Sequence, residues 1–201
     1  MRDTLTKARY YMQKKECGDV CPDLAMDALI PVLKRYIPVH FHAHKADDIL
    51  TAIRIAHEFN LRYNIIHATQ AQKILSYMIC EDSIPILGPA FGVSGKPETV
   101  GNSFATAGIL FDAGLEVAIT TDHDVTPLWS LPICAALYVR DGLPEDAALR
   151  AITINPAKIL GIDNRVGSIA VGKDADIVVL DRHPFDIMTK AIAVFINGER
   201  I

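Results

Sequence analysis

PVHFHAHKADDILTAIRIAHEFNLRYNIIHA, residues 38–68, is the stretch on which the fold turns. Val39 to Ala43 reads as a strand entered from Pro38. Asp47 follows as the expected cap of a long amphipathic helix, with Ile49, Ile53, Ala56 and Phe59 at helical spacing on one face. Arg62 to His67 reads as a second strand. Both strands run apolar into a histidine at the start of a loop, His42 in the first and His67 in the second.

The same alternation continues downstream. Gln70 to Glu81 reads as a helix. Ile84 to Leu87 is a third strand, stopped by Gly88-Pro89. The segment FGVSGKPETVG, residues 91–101, is glycine-rich and polar and reads as a mobile loop. Asn102 to Ala113 is helical and ends at Gly114. Val117 to Thr121 is a fourth strand, and it runs into Asp122. Units of this length imply a parallel sheet with right-handed crossovers.

The flanks read differently. Residues 1–15 form a helix with Tyr10, Tyr11 and Met12 toward a core, and a loop through Gly18 and Pro22 leads to a helix over 24–36. Leu29, Val32 and Leu33 mark its apolar face. Beyond Asp122, Pro127 to Val139 and Pro144 to Ile152 are helical, the latter with proline at its first turn. Asn155-Pro156 opens a short helix ending at Gly161. From Val166 the texture turns β: GSIAVGKDADIVVLD carries glycine turns and a β-branched run, and Asn197-Gly198 signals a hairpin. The expected division is 1–163 for the strand-helix units and their leading helices, and 164–201 for a small β appendage.

Composition narrows the function classes. The chain has 201 residues, is 50% hydrophobic and carries a formal net charge of −4. Scattered Lys and Arg give no nucleic-acid groove and no membrane-surface patch. No apolar run approaches the roughly 20 residues of a membrane helix. The charged, helical N-terminus lacks a signal-peptide core, so a cytoplasmic location is expected. Cys17 and Cys21 stand in a C-x3-C spacing without a second pair at finger spacing, and ordinary reduced thiols account for them.

In a parallel sheet, residues at the strand ends project from the carboxyl edge, where α/β folds build their sites. His42, His67 and Asp122 are such residues, and two imidazoles with a carboxylate suit a divalent metal. The plainer reading is that each histidine ends a strand and bonds a backbone carbonyl. His44 and His123 flank the three, either bonding a ligand from behind, touching substrate, or standing in solvent. His40, His42 and His44 fall on one face by strand alternation. Asp47-Asp48 read as cap residues, His57 and His183 as surface residues, and Lys73 and Lys96 as solvated charges rather than substrate contacts. The run Gly172 to Asp176 lacks the spacing of a phosphate-binding loop.

Taken in order, HAHKADDILTAIRIAHEF (42–59), IIHAT (65–69), AITTDHD (118–124) and LRAITINPAKILGIDNRVGSIAVGKDADIVVLD (149–181) resemble the C-terminal half of the amidohydrolase superfamily, on its imidazolonepropionase-related branch. The resemblance implies an α/β fold, a (β/α)8 barrel with a small β-sandwich beside it. It also implies water activated by one or two divalent metals, zinc foremost, attacking an amide or cyclic-amide C–N bond. His42 corresponds to the fifth-strand histidine, His67 to the sixth-strand histidine and Asp122 to the eighth-strand aspartate, which also serves as base.

Spacing places the chain within that barrel. His42 and His67 are 25 residues apart, and His67 and Asp122 are 55 apart, one βα unit and then two. A complete barrel needs roughly 250 residues. The expectation is a partial, half barrel of the TIM type with a C-terminal β appendage, lacking the first-strand H-x-H pair and the fourth-strand bridging residue. From it follow doubtful metal occupancy, an inactive isolated chain, and either a homo-oligomer or a partner supplying the missing N-terminal half.

Overall fold

This computed structural model describes residues 1–91 and 96–201. Four strands form a sheet: β1 (Val39–Ala43), β2 (Tyr63–His67), β3 (Ile86–Leu87) and β4 (Ala118–Ile119). They lie in the order β1-β2-β3-β4, and every pairing is parallel. The register runs Phe41 to Ile65, Ile66 to Ile86 and Leu87 to Ile119. This is the sequential parallel order expected of the strand-helix repeat.

The two sheet faces differ. Phe41, Ala43, Tyr63, Ile65, Leu87, Val117 and Ile119 are buried and belong to one continuous core. Helix α4 (Ala46–Phe59) packs on β1 and β2, α6 (Ala105–Asp112) packs on α7 (Leu131–Arg140), and α7, α8 (Glu145–Ala151) and α9 (Ile154–Leu160) pack around β4. Ile49, Ala52, Ile53, Ala56 and Phe59 supply the α4 face, which is the stripe its periodicity marks. Asn155 reaches from α9 to donate to the Val117 carbonyl at 2.8 Å, tying that helix to the fourth strand. On the opposite face, His40 and His42 alternate with the buried Phe41 and Ala43 and stay exposed.

Helical boundaries depart from expectation where proline and capping decide them. The segment 24–36 splits into α2 (Leu24–Asp27) and α3 (Ile30–Leu33). Pro31 lacks the amide hydrogen a continuous helix needs, and it starts the second piece instead. Asp23 caps α2 through its side chain, accepting from the amides of Ala25 and Met26. Asp47 does not cap α4: Lys45 holds the cap position, and both Asp47 and Asp48 fall in the first turn, where they oppose the positive end of the helix dipole. The helix expected over 70–81 shortens to a 3-10 turn, Ala71–Ile74, and α5 (Leu75–Met78). Helix α1 (Arg2–Glu16) buries Leu5, Ala8 and Tyr11, while Tyr10 faces outward. Within the loop expected at 91–101, Pro97–Thr99 forms a 3-10 turn; residues 92–95 lie outside the described residues.

The last stretch forms a separate three-stranded antiparallel sheet, β5 (Ile177–Leu180), β6 (Ala191–Ile196) and β7 (Glu199–Arg200). Asn197 and Gly198, both at positive φ, make the hairpin between its last two strands. Among the described residues no helix is long and apolar enough to cross a membrane.

Candidate metal centre

His42 ends β1 on the open face. His67 ends β2 in register with Ala43, so alternation alone assigns it to the helix-covered face. The backbone departs from the strand there: His67 has φ 75° and Ala68 φ 45°. Left-handed backbone is rare for non-glycine residues and concentrates at functional sites. The turn brings the His67 ring to His42 instead. Their Nδ1 (His42) and Nε2 (His67) atoms lie 3.0 Å apart, with the rings inclined at 72°.

The other nitrogen of His67 settles its tautomer. Nδ1 lies 2.6 Å from the Gly88 carbonyl oxygen, and a carbonyl only accepts, so Nδ1–H donates. Neutral His67 therefore presents a bare Nε2 lone pair to His42. Burial holds the His67 imidazole below its ordinary pKa, with the neighbouring His42 acting in the same direction.

His44 lies flat on His67, with ring centroids 4.4 Å apart and planes 10° from parallel. Its Nδ1 is 2.8 Å from Thr69 Oγ1. It is 8% exposed, and burial, then the His67 and His42 imidazoles, lower its pKa to about 4. One nitrogen from each of His42, His44 and His67 falls within 4.8 Å of the others, so the three could hold a metal ion. The geometry grades them. Zinc bonds imidazole nitrogen at about 2.0–2.1 Å, which sets tetrahedral ligand nitrogens about 3.3 Å apart. The 3.0 Å His42–His67 pair meets that spacing as it stands. The stacked His44 ring sends its lone pair parallel to the His67 plane and converges only after a ring turn. In this arrangement it holds the His67 ring in place.

Asp122 follows β4, half-buried, with φ 50°, and its amide donates to Thr120 Oγ1. It lines one cavity of about 220 Å³ together with His42, His44 and His67. His123, expected beside them, is exposed and does not line that cavity. Lys96 does line it, whereas Lys73 does not. His57 and His183 are exposed, and His40 is exposed beside the cluster without entering it. Cys17 and Cys21 are exposed free thiols. Sequence reasoning missed Thr69, Gly88, Phe91 and Val125. Only Gly88 left a trace, as a glycine where a strand stops.

A larger cavity, about 620 Å³, opens at the amino edge of the strands. Among the charged groups that line it, His57 bonds Glu81 at 2.8 Å and Lys158 bonds Glu116 at 2.8 Å. The histidine cavity gathers His42, His44, His67 and Asp122, and it lies at the carboxyl edge, as the strand-end residues anticipate.

The imidazole cluster carries a pH signature in the metal-free chain. His44 titrates near its ordinary 6.5 when unfolded but at about 4 when folded. The unfolded chain then binds more protons between these values, so stability is complete above pH 6.5 and is lost as pH falls toward 4. A loss on the order of 2 kcal/mol is expected. Urea unfolding at stepped pH checks it; a His44→Gln chain with the same slope as wild type rules out this residue as the source.

An α/β fold with a parallel sheet and a histidine cavity at its carboxyl edge defines the class. The chain belongs to the Amidohydrolase family, whose profile it matches over residues 11–201. It is 29% identical over 182 residues to the amidohydrolase tasK of Hapsidospora irregularis, covering 88% of this chain and 18% of that protein. It is 48% identical over 75 residues to an imidazolonepropionase of Shewanella frigidimarina, covering 34% of this chain and 17% of the relative. A crystal structure of an amidohydrolase from Thermotoga maritima MSB8 superposes with TM-score 0.95 at 40% identity, covering all of this chain and 54% of that one. The chain thus spans about half of that structure, and its matched stretches cover under a fifth of each of the two relatives. The family is typically metal-dependent, and among the described residues His42, His44 and His67 form a group that could hold such an ion.

Proposed function

We propose that this chain is the C-terminal portion of a metal-dependent amidohydrolase that cleaves amide or cyclic-amide C–N bonds in small molecules. The observation that carries the reading is the His42–His67 pair, its tautomer fixed by the Gly88 carbonyl, in one cavity with Asp122. His42 and His67 would hold the ion, with Asp122 as the third ligand. A bound divalent ion, zinc foremost, supplies water acidic enough to act as nucleophile near neutral pH. Asp122 takes up the proton that water loses and returns it to the departing nitrogen. His44 keeps His67 aligned by stacking, and Lys96 is placed to meet a polar substrate group at the mouth.

In this reading the four parallel strands are the fifth to eighth of a (β/α)8 barrel. Residues 1–163 contribute that half with its leading helices, and residues 164–201 are one part of a sandwich completed by another segment. The single-neighbour strands β1 and β4 and the 54% coverage of the Thermotoga maritima structure support it. The first-strand H-x-H pair then comes from elsewhere.

The test is complementation. The chain alone is expected to carry well below one equivalent of zinc by elemental analysis and to leave amide and dipeptide panels unhydrolysed. Combined with the amino-terminal half of the Thermotoga maritima relative, it is expected to gain zinc and amide hydrolysis together. Stoichiometric zinc in the chain alone, lost on His42→Ala, overturns the shared-site reading. A second reading has the chain as a non-catalytic or complementing fragment that pairs with itself, favoured by the exposed face of β1 and its open edge. Sedimentation of the same sample decides it: a two-fold dimer supports self-association, and a 22.0 kDa monomer opposes it.

A further inference from the structure

The histidine cavity does not end at its polar wall. Phe91 and Val125 line it on one side, and both also line a second hollow of about 270 Å³. That hollow is bounded by Pro127, Trp129 and Ile133 as well, and its surface is mostly apolar. Trp129 is 76% exposed, Val125 63% and Phe91 40%. Large apolar groups left in water side by side mark a binding surface. These lie at the carboxyl edge, on the loops after β3 and β4, with Val125 three residues from Asp122.

The hollow is built, not draped. Thr126 Oγ1 donates to the Phe91 carbonyl at 3.3 Å, joining the two loops across the opening. The Val125 amide donates to the Asp122 carbonyl at 2.8 Å, and the Thr126 amide to the Thr121 carbonyl at 3.2 Å. Ser130 Oγ donates to the Pro127 carbonyl at 2.6 Å, which fixes the turn carrying Trp129. The apolar wall and the candidate catalytic carboxylate therefore share one short, hydrogen-bonded segment. A ligand entering the wall needs little reordering of it.

We propose that this hollow is the subsite for an apolar substituent, aromatic or branched aliphatic, on the substrate's amide. The inference rests on the hydrolase reading and specifies its substrate class. A dry cavity of about 150 Å³ is enough to admit benzene, so the hollow has room for a ring. A ring seated between Phe91, Val125 and Trp129 leaves an attached amide over the shared rim, facing His42, His67 and Asp122. Small polar amides fill the histidine cavity but leave the apolar wall wet. Substrates with an apolar arm gain the burial that they lack.

Trp129 is the sole tryptophan of the chain and supplies the readout. The probe is N-benzylacetamide, with N-methylacetamide as the control, titrated into the full chain without metal. N-benzylacetamide is expected to shift the tryptophan emission saturably in the millimolar range, and N-methylacetamide to leave it unchanged. Val125→Asp is expected to weaken that response about tenfold or more, since the ring would meet a carboxylate. Far-UV circular dichroism verifies that the variant is folded, and Val125→Leu, which keeps the wall apolar, is expected to retain the response. An emission unchanged by N-benzylacetamide, equal responses to both amides, or a Val125→Asp chain that responds like wild type overturns the subsite. So does emission already blue-shifted in a concentration-dependent way before any probe is added, because a second chain then fills the wall. None of these readouts involves zinc, so the subsite falls or stands apart from the complementation result.

Discussion

Gly88→Ala is expected to destabilise the chain by about 3 kcal/mol or more and to scatter the histidine pair. Gly88 has φ 126°, a conformation that a side chain resists. A Cβ there would sit 2.1 Å from the Thr120 carbonyl oxygen and 3.1 Å from its carbon. That backbone has no room to yield, because the Thr120 amide donates to the Leu87 carbonyl at 2.8 Å. The residue clashing with the new methyl is thus hydrogen-bonded to the residue preceding it. Any relief pushes β3 from β4 and moves the Gly88 carbonyl that fixes the His67 tautomer. Urea unfolding followed by far-UV circular dichroism measures the loss. A midpoint unchanged from wild type shows that the sheet can absorb the methyl and refutes the argument.

Asp122→Asn is expected to lower amide hydrolysis by about a hundredfold to ten-thousandfold in the complemented assembly, as removal of a general base does. The substitution keeps size and shape and removes the capacity to take a proton. Asp122 is half-buried and sits past the end of its strand, so the fold should be little affected. Zinc content separates the two jobs proposed for this carboxylate. Retained zinc with lost activity isolates the proton transfer, and joint loss places Asp122 chiefly as ligand. Activity within about tenfold of wild type removes it from the chemistry altogether.

The parallel sheet was legible in the sequence because β1 and β2 alternate or run apolar between loops, and α4 repeats its apolar face without interruption. The third and fourth strands were legible as elements but not in extent. Each pairs over two residues only, and Gly88, at φ 126°, ends the third strand. The helix break at Pro31 was marked in the sequence by the proline itself, and apolar spacing outweighed it in the reading of 24–36. Within the site, the cavity gathers His42, His67 and Asp122, each at a strand end, as the sequence suggested. The relations among them were not legible. The stacking of His44 and the Gly88 carbonyl depend on the left-handed turn at His67, and no spacing rule encodes a positive φ in histidine. The left-handed turn at Asp122 likewise carries His123 out to solvent.

The unequal lengths of strand pairing imply a gradient in how often each part of the sheet opens. Five residue pairs join β1 to β2, and two join each later pair of strands. Local opening free energies follow such differences, so amide exchange should be slowest at Phe41 and Ile65 and faster at Ile119. His42 and His67 stand on the slow part and Asp122 on the fast part. The two imidazoles should then hold their mutual spacing longer than either holds its distance to the carboxylate.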